Sequence, residues 1–395
     1  MSLREAIIGQ IREHGPLSFA RYMELALYHP ELGYYARADR RSGRAGDFFT
    51  SADVGSLFGE LLVEQFVEMW QVLRSRRRSD PFPFDLVEAG AGSGRLARAM
   101  LDAAAARYPD FYAAIQLTLV ERSPAARDAQ TATLGRHASK LQGSIENPPT
   151  GVYGVIFANE LLDALPVNVI VMTEGGLREV YIDAHGDRLL ERLGPTSSHV
   201  QKHVEQERIE LKPGWRAEVC PAATAWVTQV ASALQRGFII LVDYGHEAAD
   251  LYSATHSTGT LATYHRHQVR NGTDDTWSGP PWLVDPGTVD ITAHVDLTAA
   301  RRAAERAGLR TLAVLDQMYF LLGLSTPEQS AARLGLSSDH PGAEPRRDLD
   351  TVKRRLAWKT LMTPGGLGST HKVLIFGKGV GRPKLRGCSF RVRVT

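Results

Sequence analysis

The run Glu88-Ala89-Gly90-Ala91-Gly92-Ser93-Gly94 combines one acidic side chain with three glycines at alternate positions. It lies between the apolar stretch Phe84-Asp85-Leu86-Val87 and the helix-forming stretch Arg95-Leu96-Ala97-Arg98-Ala99-Met100-Leu101. Glycines on a strand-to-helix turn let a ligand approach bare backbone, with N–H groups and the positive helix end facing it. A dinucleotide turn needs Gly-x-Gly-x-x-Gly or Ala, and here Arg95 stands at the third position, which argues against a pyrophosphate cofactor. Glu121 closes a second apolar run, where an acid can accept two hydrogen bonds from vicinal ribose hydroxyls. Asn159, Glu160 and Asp163 follow a third, at 154–158. If Leu161-Leu162 begin a helical turn, the two carboxylates share a face and can address one cation.

Other residues admit two readings. Asp47, Thr50 and Ser51 either close over a cofactor from the N-terminal side or, through Thr50 and Ser51, cap the amphipathic helix that follows. Tyr244 lines a substrate path or sits in the core, and Tyr264, His265 and His267 belong to a long polar loop of the kind that forms lids and binding segments. His265, His267 and His294 match no metal-ligand spacing, and Cys220 and Cys388 are far apart, so no metal site and no disulfide are expected.

These groups need a scaffold, and the apolar pattern indicates one. Leu3, Ile7, Ile8 and Ile11 recur at helical spacing, and Ser18 reads as the cap of a second helix. Beyond residue 81, apolar strands alternate with helices, the signature of an α/β fold with a mostly parallel sheet and helices on both faces. Ligands bind beyond the carboxyl ends of such strands, where Glu88, Glu121, Asn159 and Tyr244 fall. Hairpin signals around Glu174-Gly175-Gly176 indicate an antiparallel insertion. A helix is expected to open at Asp290–Asp296, and the end of the chain to form a frayed tail or peripheral strand. The expected division is a helical cap over 1–80, a core over 81–380 with insertions at about 170–235 and 250–305, and a tail over 381–395.

The chain of 395 residues has 43% hydrophobic residues, 23% charged residues and a formal net charge of +2, which supplies no strong field for nucleic acid. Its densest basic run, Arg74-Ser75-Arg76-Arg77-Arg78, reads as a solvated linker. No stretch approaches the ~20 apolar residues of a membrane span, and no signal-peptide core is visible. With only two cysteines, a reducing cytoplasmic location is expected.

Glu-x-Gly-x-Gly-x-Gly resembles motif I of class I S-adenosylmethionine methyltransferases. The motif order, with 46–51, 58–60, 88–94, 158–167, 242–245, 259–267, 290–295 and 317–324, resembles the MidA family, which includes the mitochondrial complex I assembly methyltransferase. The resemblance covers about residues 5–380. It departs at Leu161 and Leu162, where the family carries aromatic residues, and at Ala52-Asp53-Val54-Gly55. It implies a Rossmann-like class I methyltransferase with a helical N-terminal cap and late insertions. It implies S-adenosyl-L-methionine as cofactor, held by Glu88, Gly90, Gly92, Gly94, Glu121 and Asn159, with Asp47, Thr50 and Ser51 from the cap side. For the mitochondrial member it implies a protein arginine as methyl acceptor. Glu160 and Asp163 are then the catalytic candidates, since carboxylates must hold a guanidinium and draw its charge onto one nitrogen. A small-molecule O- or N-methyltransferase and a non-catalytic assembly scaffold are the alternatives.

Overall fold

The computed structural model describes residues 1–36, 51–75, 83–265, 268–271, 280–325 and 349–390, with 52, 53, 264, 265 and 268–271 described in the backbone only. Its central sheet contains β1 (Phe84–Ala89), β2 (Ile115–Val120), β3 (Leu141–Ile145), β4 (Val152–Asn159), β5 (Leu234–His246), β6 (Arg310–Asp316) and β7 (His371–Lys378). Their order is β6-β7-β5-β4-β1-β2-β3. β7 runs antiparallel to both neighbours, and the other adjacent pairs are parallel. β4 is apolar along most of its length because both of its faces are covered.

One face packs on α3 (Ser56–Arg74) and α4 (Arg95–Arg107), with Phe58, Phe66, Leu96 and Met100 against Leu86 and Phe157. The other packs on α5 (Pro221–Ala233) and α6 (Leu297–Arg306), with Val227, Val230, Leu297 and Ala300 against Val87, Ile156 and Ile239. The parallel register brings Ala89 level with Ala158, and Asn159 level with Val242. Those strand ends therefore open on one edge.

α1 (Leu3–His14) and α2 (Phe19–Tyr28) lie on a separate five-stranded sheet. Four of its strands, Asn168–Thr173, Gly176–His185, Arg188–Pro195 and Arg216–Val219, form the expected antiparallel insertion, and Leu17–Ser18 adds an edge through Leu17 opposite Ile182. Ser18 caps α2 by accepting from the Arg21 N–H at 3.2 Å.

Four sequence expectations differ from the structure. Asp290–Thr292 is a strand, Val295–Asp296 pairs with the end of β5, and the helix starts only at Leu297, where the Asp296 carboxylate accepts from the Ala299 N–H at 2.8 Å. β3 and the helix Ser198–Glu207 were not marked by the apolar pattern. The terminal segment docks on α3: Arg386 Nε meets Glu68 Oε1 at 2.6 Å and the Gly387 N–H donates to Gln65 Oε1 at 3.1 Å. Residues 391–395 and the basic residues Arg76, Arg77 and Arg78 lie outside the described residues. Among the described residues no helix is long and apolar enough to cross a membrane.

Glu60 ties α3 to the chain's far end, receiving Arg107 at 2.6 Å and both terminal nitrogens of Arg354 at 2.8 Å. Burial pushes its carboxyl up, but hydrogen bonds and charge, chiefly from Arg354, outweigh this and hold it at about 2, against an ordinary 4.5. A depressed acid stabilises the fold fully above the unfolded value and loses that contribution as pH falls toward the folded one. Glu60→Gln is expected to cost ~1–3 kcal/mol in urea unfolding at pH 7, with the difference shrinking between pH 4.5 and 2.

Candidate active site

The glycine turn at the end of β1 is built on left-handed backbone. Gly90, Gly92 and Gly94 have φ of 70°, 52° and 84°, conformations that side chains resist. At Gly90 an added Cβ would also come within 3.1 Å of Leu161 Cδ1. Glu121 holds the turn, its carboxylate accepting from the Gly92 N–H at 2.8 Å and the Ser123 N–H at 2.7 Å. Each oxygen keeps further lone-pair capacity, so buttressing the turn is compatible with receiving hydroxyls. Gln130, which the sequence motif does not mark, donates to the Gly92 carbonyl at 2.8 Å and accepts from Ser144 Oγ at 2.5 Å. Glu88 is buried, and its Oε2 has no hydrogen-bond partner among the described residues.

At the end of β4, Glu160 adopts a left-handed φ of 51°, one of two non-glycine residues with positive φ among those described. Its N–H donates to the Val242 carbonyl at 2.8 Å. Its Oε1 accepts from the Ser51 N–H at 3.0 Å and Asn159 Nδ2 at 3.1 Å, and His371 Nε2 lies 3.2 Å away. Ser51 Oγ donates to Gln317 Oε1 at 3.0 Å. Ser51 thus meets the strand ends, while α3 is entered through Gly55 without a side-chain cap. Asp47 and Thr50 lie outside the described residues.

The helical turn expected after Glu160 does not form. Asp243, at the end of β5, takes the Leu161 and Leu162 N–H groups on Oδ2 at 3.1 and 2.7 Å and the Tyr244 N–H on Oδ1 at 2.9 Å. The carboxylate folds the chain around itself, and Glu160 and Asp163 meet through this irregular turn. Asp163 is buried, and burial together with Asp243, Glu160 and Asp290 pushes its carboxyl well above the usual range. Burial raises Asp243 as well, with Glu160 adding to it and the backbone N–H of Leu162 opposing. Asp290 accepts from Tyr35 Oη at 3.0 Å, and Tyr28 Oη donates to the Ala164 carbonyl at 3.0 Å, so the N-terminal region closes on this turn. Asp243, Asp290 and Gln317 fall in the motif blocks 242–245, 290–295 and 317–324, but nothing local indicates that they converge here with His371.

Tyr244 stacks obliquely on His371, with ring centroids 3.9 Å apart. Tyr264 and His265 lie in the strand Ala262–His265 and are described in the backbone only, and His267 lies outside the described residues. Beside Glu121 opens a cavity of about 260 Å³ lined by Tyr28, Tyr35, Arg122, Ser123 and Glu146.

The glycine turn, Glu121 and the strand-end acids all fall within residues 61–315, which match the sequence profile of an S-adenosyl-L-methionine-dependent methyltransferase family. The chain belongs to this family. It is 28% identical to the Drosophila melanogaster "protein arginine methyltransferase NDUFAF7 homolog, mitochondrial" across 96% of this chain and 85% of that one. It is 30% identical to the Mus musculus "protein arginine methyltransferase NDUFAF7, mitochondrial" across 79% of this chain and 71% of the relative. A Burkholderia thailandensis protein crystallised with S-adenosyl-homocysteine shares 26% identity and a TM-score of 0.84 over 98% of this chain and 94% of that one. The MidA resemblance and the class I fold are therefore upheld, and this methyltransferase uses S-adenosyl-L-methionine. The turn fits that cofactor, since buried oxygens of Glu88 and Asn159, without a hydrogen-bond partner among the described residues, lie at the adjoining strand ends. The cytoplasmic expectation is overturned by relatives named as mitochondrial. A paucity of cysteines and of apolar spans suits any reducing aqueous compartment, so it could not distinguish them.

Burial drives the Glu88 carboxyl up to about 8 from an ordinary 4.5, with the Ala97 N–H opposing and Glu121 adding a little. A raised acid stabilises the fold below its unfolded value, and that contribution is lost as pH rises through the folded one. Glu88→Gln, which mimics the protonated acid, is expected to gain stability over the parent between pH 4.5 and 8, by at most ~1.4 kcal/mol per pH unit in urea unfolding.

Proposed function

We propose that this methyltransferase methylates a protein arginine, the acceptor class named for its curated relatives. The observation that carries the reading is the convergence of Glu160, Asp243 and Asp290 on the buried Asp163, whose carboxyl all three push up. Such a group disfavours its own ionisation and is relieved by a planar cation with several N–H donors, which is what a guanidinium offers. Respiratory complex I is the setting of the mitochondrial relative's substrate in the family resemblance; for this chain the proposal is the arginine side chain.

S-adenosyl-L-methionine supplies a methyl group on a sulfonium, open to in-line displacement. The chain's part is alignment, which can lower such a barrier by ~7–11 kcal/mol. Gly90, Gly92 and Gly94 would admit the cofactor to the first turn of α4, Glu121 would take the ribose hydroxyls, and Arg122, Glu146 and Tyr28 would bound the adenosine in the adjoining cavity. Asn159 and Ser51, both fixed on Glu160, would set the methionine side. Glu160 would hold the guanidinium through Oε2, the oxygen without a partner among the described residues. Asp163, favouring its protonated form through burial and like charges, would ionise beside a guanidinium and then accept the proton that the methylated nitrogen releases.

Three outcomes test this. Glu160→Gln is expected to retain S-adenosyl-L-methionine affinity by calorimetry and to lose methyl transfer by at least ~100-fold, the scale of a general acid–base or electrostatic contribution; an undiminished rate removes Glu160 from the mechanism. With Asp163 raised, the acceptor KM is expected to fall as pH rises through its titration, because binding then needs less proton release. Methyl-labelled cofactor with a lysate of the source organism is expected to label arginine in protein, and label confined to metabolites would favour the small-molecule alternative.

A further inference from the structure

Three histidines from separate parts of the chain meet at the end of β5, beyond the acids. His246 is the last residue of β5, His256 ends the short turn Ala254–His256, and His294 lies between Asp290–Thr292 and Val295–Asp296. One nitrogen from each ring lies within 4.8 Å of the other two, and the ring centroids are 4.6, 5.1 and 6.2 Å apart. His294, which matches no metal-ligand spacing with His265 and His267 in the sequence, lies in the fold beside His246 and His256.

The surroundings preset which nitrogens are available. His246 Nδ1 is 2.7 Å from Asp250 Oδ2, and His256 Nδ1 is 3.0 Å from the Asp250 carbonyl. Oxygen acceptors hold the proton on Nδ1, which leaves Nε2 of both rings with a lone pair. His294 Nδ1 is buried with no hydrogen-bond partner among the described residues, while its main-chain N–H is fixed on Thr260 Oγ1 at 3.0 Å. A desolvated imidazole nitrogen without a partner is costly, and an electron-pair acceptor placed among the three rings would satisfy it.

We propose that His246, His256 and His294 bind one divalent transition-metal ion of the zinc type, with Asp250 orienting His246. Imidazole suits Zn²⁺, Co²⁺, Ni²⁺ and Cu²⁺ and is a poor match for Mg²⁺ or Ca²⁺. Nitrogens around a tetrahedral ion at ~2.0–2.1 Å are ~3.3 Å apart, so the rings close by ~1–2 Å, a movement that side-chain rotation supplies. The fourth position takes water or a substrate group. Such an ion would clamp the end of β5 to the segment that carries Asp290 and whose Ala293 N–H donates to the Asp163 carbonyl at 3.1 Å. The proposal concerns binding alone and stands apart from the choice of methyl acceptor.

The test uses tag-free full-length protein, stripped with chelator and titrated with Co²⁺ and then Zn²⁺. The parent is expected to bind about one equivalent, with visible Co²⁺ absorption that Zn²⁺ displaces and Mg²⁺ leaves unchanged. His294→Ala and His256→Ala are expected to abolish stoichiometric binding while retaining the parent's circular dichroism spectrum. Asp250→Asn, at a half-exposed position that spares the fold, is expected to weaken binding ~10–100-fold. Retention of less than ~0.1 equivalent by the parent, or parent-like affinity in Asp250→Asn and in whichever histidine variants fold, would overturn the site.

Discussion

Carboxylates removed from water at the carboxyl edge of the sheet impose the constraint around which the rest of this site is arranged. An isolated buried carboxylate is unfavourable unless hydrogen bonds or charge compensate it. Asp243 meets that condition by collecting three backbone N–H groups, from Leu161, Leu162 and Tyr244. Glu160 meets it in part, through Ser51 and Asn159. Asp163 remains the least compensated, pushed toward its neutral form by burial and three other acids. Compensation is therefore uneven by design of the fold, and the side chain with the least is the one best suited to respond to an incoming cation.

The same constraint accounts for the unusual backbone at Glu160. A left-handed non-glycine residue costs on the order of 1–3 kcal/mol and persists only where its surroundings overdetermine it. Here the Val242 carbonyl fixes the Glu160 N–H, and Asp243 captures the two amides that follow. β4 and β5 thereby clamp the turn from both sides. The N-terminal region adds a third restraint through Tyr28 on Ala164 and Tyr35 on Asp290, so helices that pack on the antiparallel insertion also reach the chemistry at the edge of the parallel sheet.

Much of this was legible in the residues. The glycine turn, Glu121 and the acids after β4 are local patterns, and each depends on backbone rules that act over a few positions: glycine at positive φ, an acid at a strand end, an apolar run that must be covered. The helical turn considered after Glu160 does not form because Glu160 is left-handed with its N–H held by the Val242 carbonyl, while Asp243, 81 and 82 positions away, gathers the next two N–H groups onto itself. The expected helix at Asp290–Asp296 failed for a related reason, since pairing with β5 draws Val295–Asp296 into the sheet. The described part of the tail, expected as a frayed end or a peripheral strand, is held by Glu68 and Gln65 on α3, a surface that its own composition does not reveal.

By itself the sequence determined the fold class, the glycine turn and the identity of the two acids nearest the strand end, because strand and helix periodicity and glycine conformations are encoded by near neighbours. Only the tertiary structure decided how those acids are compensated, that Gln130 braces the glycine turn, that His371 lies beside Glu160 and Gln317 beside Ser51, and that His246, His256 and His294 share one place. Charge, burial and hydrogen-bond competition depend on distance in space, and the residues that set them here lie as much as 266 positions apart, as Ser51 and Gln317 do.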